Sequence, residues 1–463
     1  MRKEKDILLG YYGDDFTGSS DVLEVLSLLG IPTILFLEAP SKEQVKNFRF
    51  KNQSLEAFGQ IAFGVAGIAR SLSPEAMKKE IDPIFKKIRE IPFRYFHYKV
   101  CSTLDSSPDV GNIGTAMEVG EKYFPSPFIP LVIGFPTLNR FVAFGHLFAR
   151  IGNTTYRLDR HPVMSRHPIT PMNESEIRLH LKKQMDRPME LVELQDLENL
   201  PLKKPQELLE LPKNEDPAPL ILFDTVENDH LNPIGQWMHQ HCLQQHQLLL
   251  GSSAMEYALG RVYGNENKVK SPPKEILPLL VVAGSCAQNT ADQILHAEKV
   301  GFQLIKMEVK RLYQPEEKQA EIHRVTQEGL AALKANKNTV IYSALGPEDP
   351  QVKSTLTASY AKENPQAIAI AQAAITKQIV EQFHLKRLVT AGGDTSGYIL
   401  KALGIEAFEF TGELSPGAPL CIAHGKNKRV DGMEIAIKGG QNGNHRYFEY
   451  AQKGGVVNEE NQL

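Results

Sequence analysis

The sequence predicts an α/β protein of two domains, each a mainly parallel sheet covered by helices. Short apolar runs alternate with helix-period segments along the chain, the pattern of strands buried on both faces. A polar, breaker-rich stretch at residues 262–275 interrupts that alternation. The same strand–loop–helix pattern then restarts. The expected domains are residues 1–262 and 276–463.

Each element has its own signal. Ile7–Tyr12 suits a buried strand that stops at Gly13-Asp14-Asp15. Val22, Val25, Leu26 and Leu29 then recur at helical spacing, and Gly30 ends the helix. Ile31–Leu37 reads as a second strand, so the chain opens with a βαβ unit. Gln60–Val65, Tyr95–Lys99, Leu131–Gly134 and Leu220–Phe223 follow as strands. Asn199–Pro217, charged and proline-bearing, reads as a loose surface connection. Beyond the break, Ile276–Ala283 precedes a helix from about Thr290, and Thr339–Ala344 is a strand. Leu388–Thr390 precedes a helix near Ser396–Leu403, and Met433–Ile437 closes the set. No internal repeat is visible.

The 463 residues can bury large cores without disulfide or metal staples. Lysine and arginine number 52 against 55 acids, a formal charge of -3. That excludes a bulk polyanion binder, so neither nucleic acid nor membrane is expected as a partner. A local basic pocket stays open. Cys101, Cys242, Cys286 and Cys421 are far apart without a C-x-x-C pair, against a disulfide framework or a Cys-rich zinc site. No apolar run reaches membrane-span length, and the one near the N-terminus is too short for a signal peptide. A cytoplasmic protein is expected.

Three glycine-rich loops in the second half each follow an apolar strand: Gly284–Thr290, Gly392–Gly397 and Lys438–Gly443. The first two lead into helices. Such turns aim backbone N–H groups and a helix dipole at one spot, a natural seat for phosphate. A tight turn with a Ser/Thr helix cap would explain any one of them. Three at strand ends in one domain point to a ligand crevice. The G-x-x-x-x-G-K-[ST], G-x-G-x-x-G, H-R-D and D-F-G signatures are absent, so a phosphate would sit in a less common fold.

The first half offers Asp14-Asp15-Phe-Thr-Gly18 at the end of its first strand. Two carboxylates there can hold Mg²⁺, bond substrate hydroxyls, or take a proton from a nucleophilic hydroxyl. Capping the next helix is the plainer role, and Asp21 reads as dipole complement alone. Lys99 ends a strand and is followed by Ser102, Asp105 and a Gly111-Asn turn, which suits a polyhydroxylated anion. Arg70 and Arg140 also follow strands, and either could pair with a carboxylate. His161-Pro and His167-Pro-Ile-Thr-Pro frame a stiff loop before a helix capped by Asn173 with Glu176. His167 could touch substrate. The run His239, His241, Cys242 and His246 reads as an exposed helical face rather than a metal site. Trp237 reads as packing, and Cys101 lacks a base that would make it a nucleophile.

Together these motifs resemble the four-carbon acid sugar kinase family along nearly the whole chain. Gly13–Gly18 is similar to the family's opening A-D-D-x-T-G, Tyr98–Gly114 to its Lys/Ser-Thr/Asp-Ser/Gly-Asn-x-Gly block, and His167–Met172 to its H-P-[IM]-T-P-M. Gly251-Ser-Ser253, Ala283–Cys286, Ala391–Ser396, Ser415–Pro419 and Lys438–Gly443 resemble further family segments in order. The resemblance implies an ATP-dependent kinase acting on the terminal 4-hydroxyl of threonate, erythronate or a 3-oxo-tetronate, with Mg²⁺. The reaction would lie in a cleft between the domains. It implies Asp14, Asp15, Arg70, Lys99, Ser102 and Asp105 at the acid; a kinase would use Asp15, with Asp14 second, as the catalytic pair, and Arg140 and His167 are the further substrate candidates read from the residues themselves. Arg70 and Lys99 would anchor the acid's carboxylate. Ser285, Ala287, Gly392, Gly393, Asp394, Thr395, Gly440 and Gly443 would hold the nucleotide. A metal ligand set is not implied residue by residue, and the oligomeric state is open, a homodimer included.

The chain departs from the family in four places, one of them Asn139-Arg140, which replaces a common Gly-Arg. Cys101–Pro108 carries no arginine where many members have D-S-T-L-R-G-N, Ala287 replaces a common serine, and Gly440-Gln-Asn replaces Gly-Asn-Phe. At Ala287 a hydroxyl contact to nucleotide would be lost and a backbone contact kept. A non-catalytic protein that binds nucleotide and sugar acid is the alternative reading, and a dehydrogenase, which would need NAD(P), a third.

Overall fold

The computed structural model describes residues 6–51, 60–167, 169–210, 216–264, 274–357, 364, 366–415 and 417–455. The chain divides into two compact units, Met1–Val269 and Lys270–Leu463. Most of the breaker-rich stretch at 262–275 lies outside the described residues.

The first unit is built on parallel strands. In chain order they are β1 (Asp6–Gly13), β2 (Thr33–Phe36), β3 (Gln60–Ala66), β4 (Tyr95–Lys99) and β5 (Ile129–Val132). A separate antiparallel sheet follows, made of β6 (Arg140–Ala143), β7 (His146–Ile151) and β8 (Thr154–Arg157). The main sheet is completed by β9 (Met189–Val192), β10 (Leu220–Phe223) and β11 (Gln247–Gly251). Its order is β2-β3-β1-β4-β11-β5-β10-β9, all pairs parallel. The central strands are buried on both faces, so they read as unbroken apolar runs. The chain winds from β1 to β2 in one direction and from β3 to β4 in the other. The loops after β1 and β4 therefore lead off in opposite directions, the switch point at which such sheets usually bind ligands.

The second unit repeats the logic. Its strands are β12 (Leu280–Ala283), β13 (Gln303–Lys306), β14 (Thr339–Tyr342), β15 (Arg387–Ala391), β16 (Ile405–Gly412), β17 (Leu420–Gly425) and β18 (Glu434–Lys438). The order is β13-β14-β12-β15-β18-β17-β16, parallel as far as β18 and antiparallel beyond. Here the winding direction reverses between β12 and β15. One face packs Val281, Ala283, Val389, Ala391 and Ala436 against Ile294, Phe448 and Ala451 of the covering helices.

Several expectations are corrected. The strands β9, β11, β13, β16 and β17 and the small antiparallel sheet went unread: β9, β13 and the small sheet are short and half-exposed, whereas β11 is fully buried and β16 is eight residues long. Asn173 does not cap the helix Ile177–Lys182; Glu176 does, accepting from Leu179 N–H at 2.7 Å. Asn173 instead accepts from Lys183. The segment Asn199–Pro217 is less loose than expected. It carries a 3₁₀ turn at Leu200–Leu202 and a short helix at Pro205–Leu208, and buried Trp237 donates to Lys203 O at 2.9 Å. Residues 211–215 of that segment are outside the described set.

Candidate active site

The switch point between β1 and β4 gathers four of the expected residues. Asp14 and Asp15 leave β1, Arg70 comes from the 3₁₀ turn Ala69–Ser71 after β3, and Lys99 ends β4. Arg70 is clamped between the two aspartates. Its Nε and Nη2 reach Asp14 at 3.3 and 2.7 Å, and its Nη1 and Nη2 reach Asp15 at 3.0 and 2.8 Å. Asp15 also caps the helix Phe16–Leu28, accepting from Gly18 N–H at 2.8 Å. The Asp15 side chain is 29% exposed and that of Asp14 only 7%, so Asp15 is the carboxylate a substrate can reach. Burial raises the Asp14 pKa even with Arg70 beside it. Burial works against the charge on Arg70, yet Asp14, Cys101 and Asp15 hold its pKa well above the ordinary value.

This geometry corrects one expected role. Arg70 spends four donor contacts on its own aspartates, so it organises the carboxylates instead of presenting a free fork to a substrate acid. Lys99 makes no side-chain hydrogen bond among the described residues. Its nearest acid is Asp21, 3.8 Å away, and its side chain is 3% exposed. Asp21 is corrected too. It accepts a hydrogen bond from Ser253, and burial raises its pKa against the pull of Lys99. Its signal lay in the helix itself: residues Gly18–Leu26 are all buried, so an acid among them must be paired.

Gly18 packs into the middle of the charges. A Cβ there would stand 2.6 Å from Asp15 Oδ1 and 2.9 Å from Lys99 Nζ. Gly111 has φ +64° and presses on the Arg70 backbone, where a Cβ would stand 2.7 Å from its carbonyl oxygen. The Gly-Asn turn thus braces the arginine, while Asn112 caps the helix Ile113–Tyr123. Ser102 is half-buried, and Asp105 accepts from Thr103 Oγ1 at 2.7 Å. Burial pushes the Cys101 thiol up to about 11, which fits its reading as no nucleophile.

Arg140 and His167 share no hydrogen bond with this cluster among the described residues. Arg140 opens β6 and donates to Leu138 O and Asn139 O. His167 Nδ1 accepts from Thr170 N–H at 3.1 Å, holding its own turn. Pro168 is outside the described residues. His97 and Glu256, not singled out from the sequence, form a fully buried pair on β4 and the helix Ala254–Tyr263.

In the second unit the three glycine loops leave β12, β15 and β18, which are neighbours in the sheet. Gly284 and Ser285 donate to Ala391 O, and Gly392 donates to Lys438 O, so the loops are tied side by side. The helices Gln288–Lys299 and Gly393–Leu403 begin there, and neither N-cap residue, Ala287 or Gly392, makes a side-chain cap bond. Their first N–H groups face the loops, as an anion site needs. Added bulk has no room. A Cβ at Gly284 would strike Thr395 Oγ1, and one at Gly440 would strike Ser285 Oγ. Gly392 and Gly443 hold φ of +116° and +76°. Gly393 faces open space. Asp394 falls in the first turn, and its side chain is outside the described residues. The Ala287 N–H, expected as a surviving contact, is committed to Ser285 Oγ at 3.1 Å.

Three residues that were not singled out hold the cradle together. Gln372 accepts from Thr395 Oγ1 at 2.9 Å and donates to Ala283 O at 3.0 Å, linking the first two loops. Asn289 donates to Gln441 O and Gly443 O, both at 2.8 Å. Gln293 reaches the carbonyls of Asn442 and Asn444, each at 3.0 Å. Among the described residues no group of three acidic, His or Cys side chains could hold a metal ion. Asp14 and Asp15 are already engaged by Arg70, so the cluster does not fit an Mg²⁺ site of its own. No helix among the described residues is long and apolar enough to cross a membrane.

Comparison with known proteins agrees with both halves. Residues 9–259 match the family model of a sugar-binding N-terminal domain, and residues 280–448 that of a nucleotide-binding C-terminal domain. A 3-oxo-isoapionate kinase of Paraburkholderia graminis is 35% identical, over 97% of this chain and 94% of its own. A 3-oxo-tetronate kinase of Pectobacterium atrosepticum is 25% identical over 96% and 99%. A crystal structure from Haemophilus influenzae shares the fold, with a TM-score of 0.73 at 21% identity over 96% of this chain and 99% of that one. A second, from Salmonella typhimurium, gives 0.77 at 22% identity over 96% and 98%. With two matched domains and a relative this similar along its length, the chain belongs to the four-carbon acid sugar kinase family.

Proposed function

We propose that the protein transfers the γ-phosphoryl group of ATP to the terminal 4-hydroxyl of a sugar acid oxidised at carbon 3. The observation that carries this reading is the pairing, in one chain, of an aspartate–arginine–lysine cluster with a three-loop glycine cradle. Residues 1–262 would hold the acid and 276–463 the nucleotide. Lys99 would take the substrate carboxylate on its ammonium, while Ser102 and Asp105 lie on the loop that follows. The substrate hydroxyl oxygen attacks the γ-phosphorus, its proton passes to Asp15, and the bond to the β–γ bridging oxygen breaks to release ADP. Arg70 would hold the Asp15 carboxylate aimed, through its two contacts at 3.0 and 2.8 Å. Mg²⁺ would travel on the phosphate oxygens, as it commonly does with nucleotides.

The relatives support an oxo acid in particular, since both the 35% identical protein and the 25% identical ones are named as kinases of 3-oxo acids. The higher identity to the first favours a substrate like 3-oxo-isoapionate over a tetronate. A cytoplasmic location, where ATP is supplied, belongs to the same proposal. The test is ADP release with Mg-ATP against D- and L-threonate, D- and L-erythronate, 3-oxo-tetronates and 3-oxo-isoapionate. Saturable turnover is expected with an oxo acid, giving a 4-phosphate. Turnover with the unoxidised acids alone would overturn the oxo assignment, and none with any acid would overturn the whole reading.

A further inference from the structure

Lys438 ends β18, yet its side chain turns inward and the residue is only 1% exposed. Its Nζ donates to Thr290 Oγ1 at 3.1 Å and reaches Gly440 O at 3.5 Å. Thr290 is the third residue of the helix Gln288–Lys299, so the ammonium lies at that helix's positive end. No salt bridge joins it to a carboxylate among the described residues. Burial brings its pKa down to about 8, with no charged neighbour contributing. A buried cation beside a helix N-terminus costs stability unless an anion answers it.

The same residue is wired to every loop of the cradle. Its carbonyl accepts from Gly392 N–H at 3.0 Å, and Thr290 Oγ1 passes a hydrogen bond to Gly440 O at 2.9 Å. We infer that Lys438 is a positioning residue that supplies the fixed counter-charge for the phosphate tail of the bound nucleotide, acting through Thr290 and the 439–443 loop. The inference rests on the nucleotide reading of this unit. It extends that reading by assigning phosphate recognition to a buried charge, beyond the glycine amides.

The test compares wild type with Lys438→Met and Lys438→Gln in metal-free buffer. Affinities are measured by calorimetry and thermal shift for adenosine, AMP, ADP, ATP and inorganic tripolyphosphate. Wild-type affinity is expected to climb with each added phosphate. In the variants ATP should weaken on the order of ten-fold or more while adenosine changes by less than about two-fold. A merely structural lysine would weaken adenosine and ATP alike, and that result, or an unchanged ratio, overturns the inference while leaving the nucleotide reading intact. Gln keeps a polar head for Thr290, so it serves if Met does not fold; failure of both to fold marks Lys438 as a structural strut and also overturns it. If wild type binds tripolyphosphate but no adenine nucleotide, the nucleotide reading fails, and loss of tripolyphosphate in the variants still supports the role of Lys438. If wild type binds none of the five, both fail.

Discussion

The two units place their sites at the same topological point and build them from opposite materials. Between β1 and β4 the site is side-chain charge: Asp14, Asp15 and Asp21 against Arg70 and Lys99, with few donors left over. Around β12, β15 and β18 it is backbone: glycines, two uncapped helix N-termini and one cation without a carboxylate. Under the proposed function, the difference follows from what each would hold. Proton transfer from a single hydroxyl needs one discrete, aimed carboxylate. A polyphosphate carries diffuse negative charge and is met by many weakly polar N–H groups at close range.

That contrast can be broken in four places. Asp15→Asn should lower kcat by about 10²–10⁴-fold at saturating ATP, with the ATP dissociation constant unchanged. Undiminished turnover would remove the proton-accepting role from the first unit. Arg70→Met strands two carboxylates, one of them buried, and should cost about 3–5 kcal/mol in urea unfolding at neutral pH. That loss should shrink on acidification, because the Asp14 pKa is already raised by burial and its protonation removes the unpaired charge. A loss that is small at neutral pH would mean that the cluster is solvated.

The third test uses the opposite sign. The Lys438 pKa is about 8 in the folded protein, lowered by burial from an ordinary 10.5. Between those values the unfolded chain binds more protons, so ligand-free stability should rise with pH across that window. The destabilisation is fully present below it, amounting to about 3 kcal/mol at most. Subtracting the Lys438→Met curve from wild type isolates this contribution, and a flat difference would show that the ammonium is not buried in solution. Smallest is Gly440→Ala, whose methyl would meet Ser285 Oγ and Ala287 Cβ. Nucleotide affinity should fall about ten-fold as the loops shift apart, with sugar-acid affinity unaltered. Equal loss for both ligands would erase the division of labour.

Legibility in the sequence divides along the same line. The strands β1, β4, β12 and β15 were readable because burial on both faces leaves unbroken apolar runs. The short, half-exposed strands of the β6–β8 sheet carry no such run. Asp14, Asp15, Arg70 and Lys99 were found because charge at a strand end is conspicuous. Their partnership was not, since nothing local says that Arg70 turns back 56 positions to Asp14. Asp21 was underrated because its partners are distant in sequence: Lys99 ends β4 and Ser253 precedes the helix Ala254–Tyr263. Lys438 stood inside a quoted motif but was passed over: the glycines beside it drew attention, and only packing shows its ammonium buried.

The guanidinium clamp on Asp14 and Asp15 has a consequence for traffic with free ions. Paired aspartates at a crevice mouth would ordinarily collect calcium or manganese from the surroundings, and a stray divalent ion parked there would quench the proton acceptor. With Arg70 already seated across both carboxylates, an incoming ion has to evict a covalently tethered competitor whose effective concentration never falls. If Asp15 accepts the proton as proposed, Mg²⁺ arriving with the nucleotide would meet two carboxylates already occupied by Arg70.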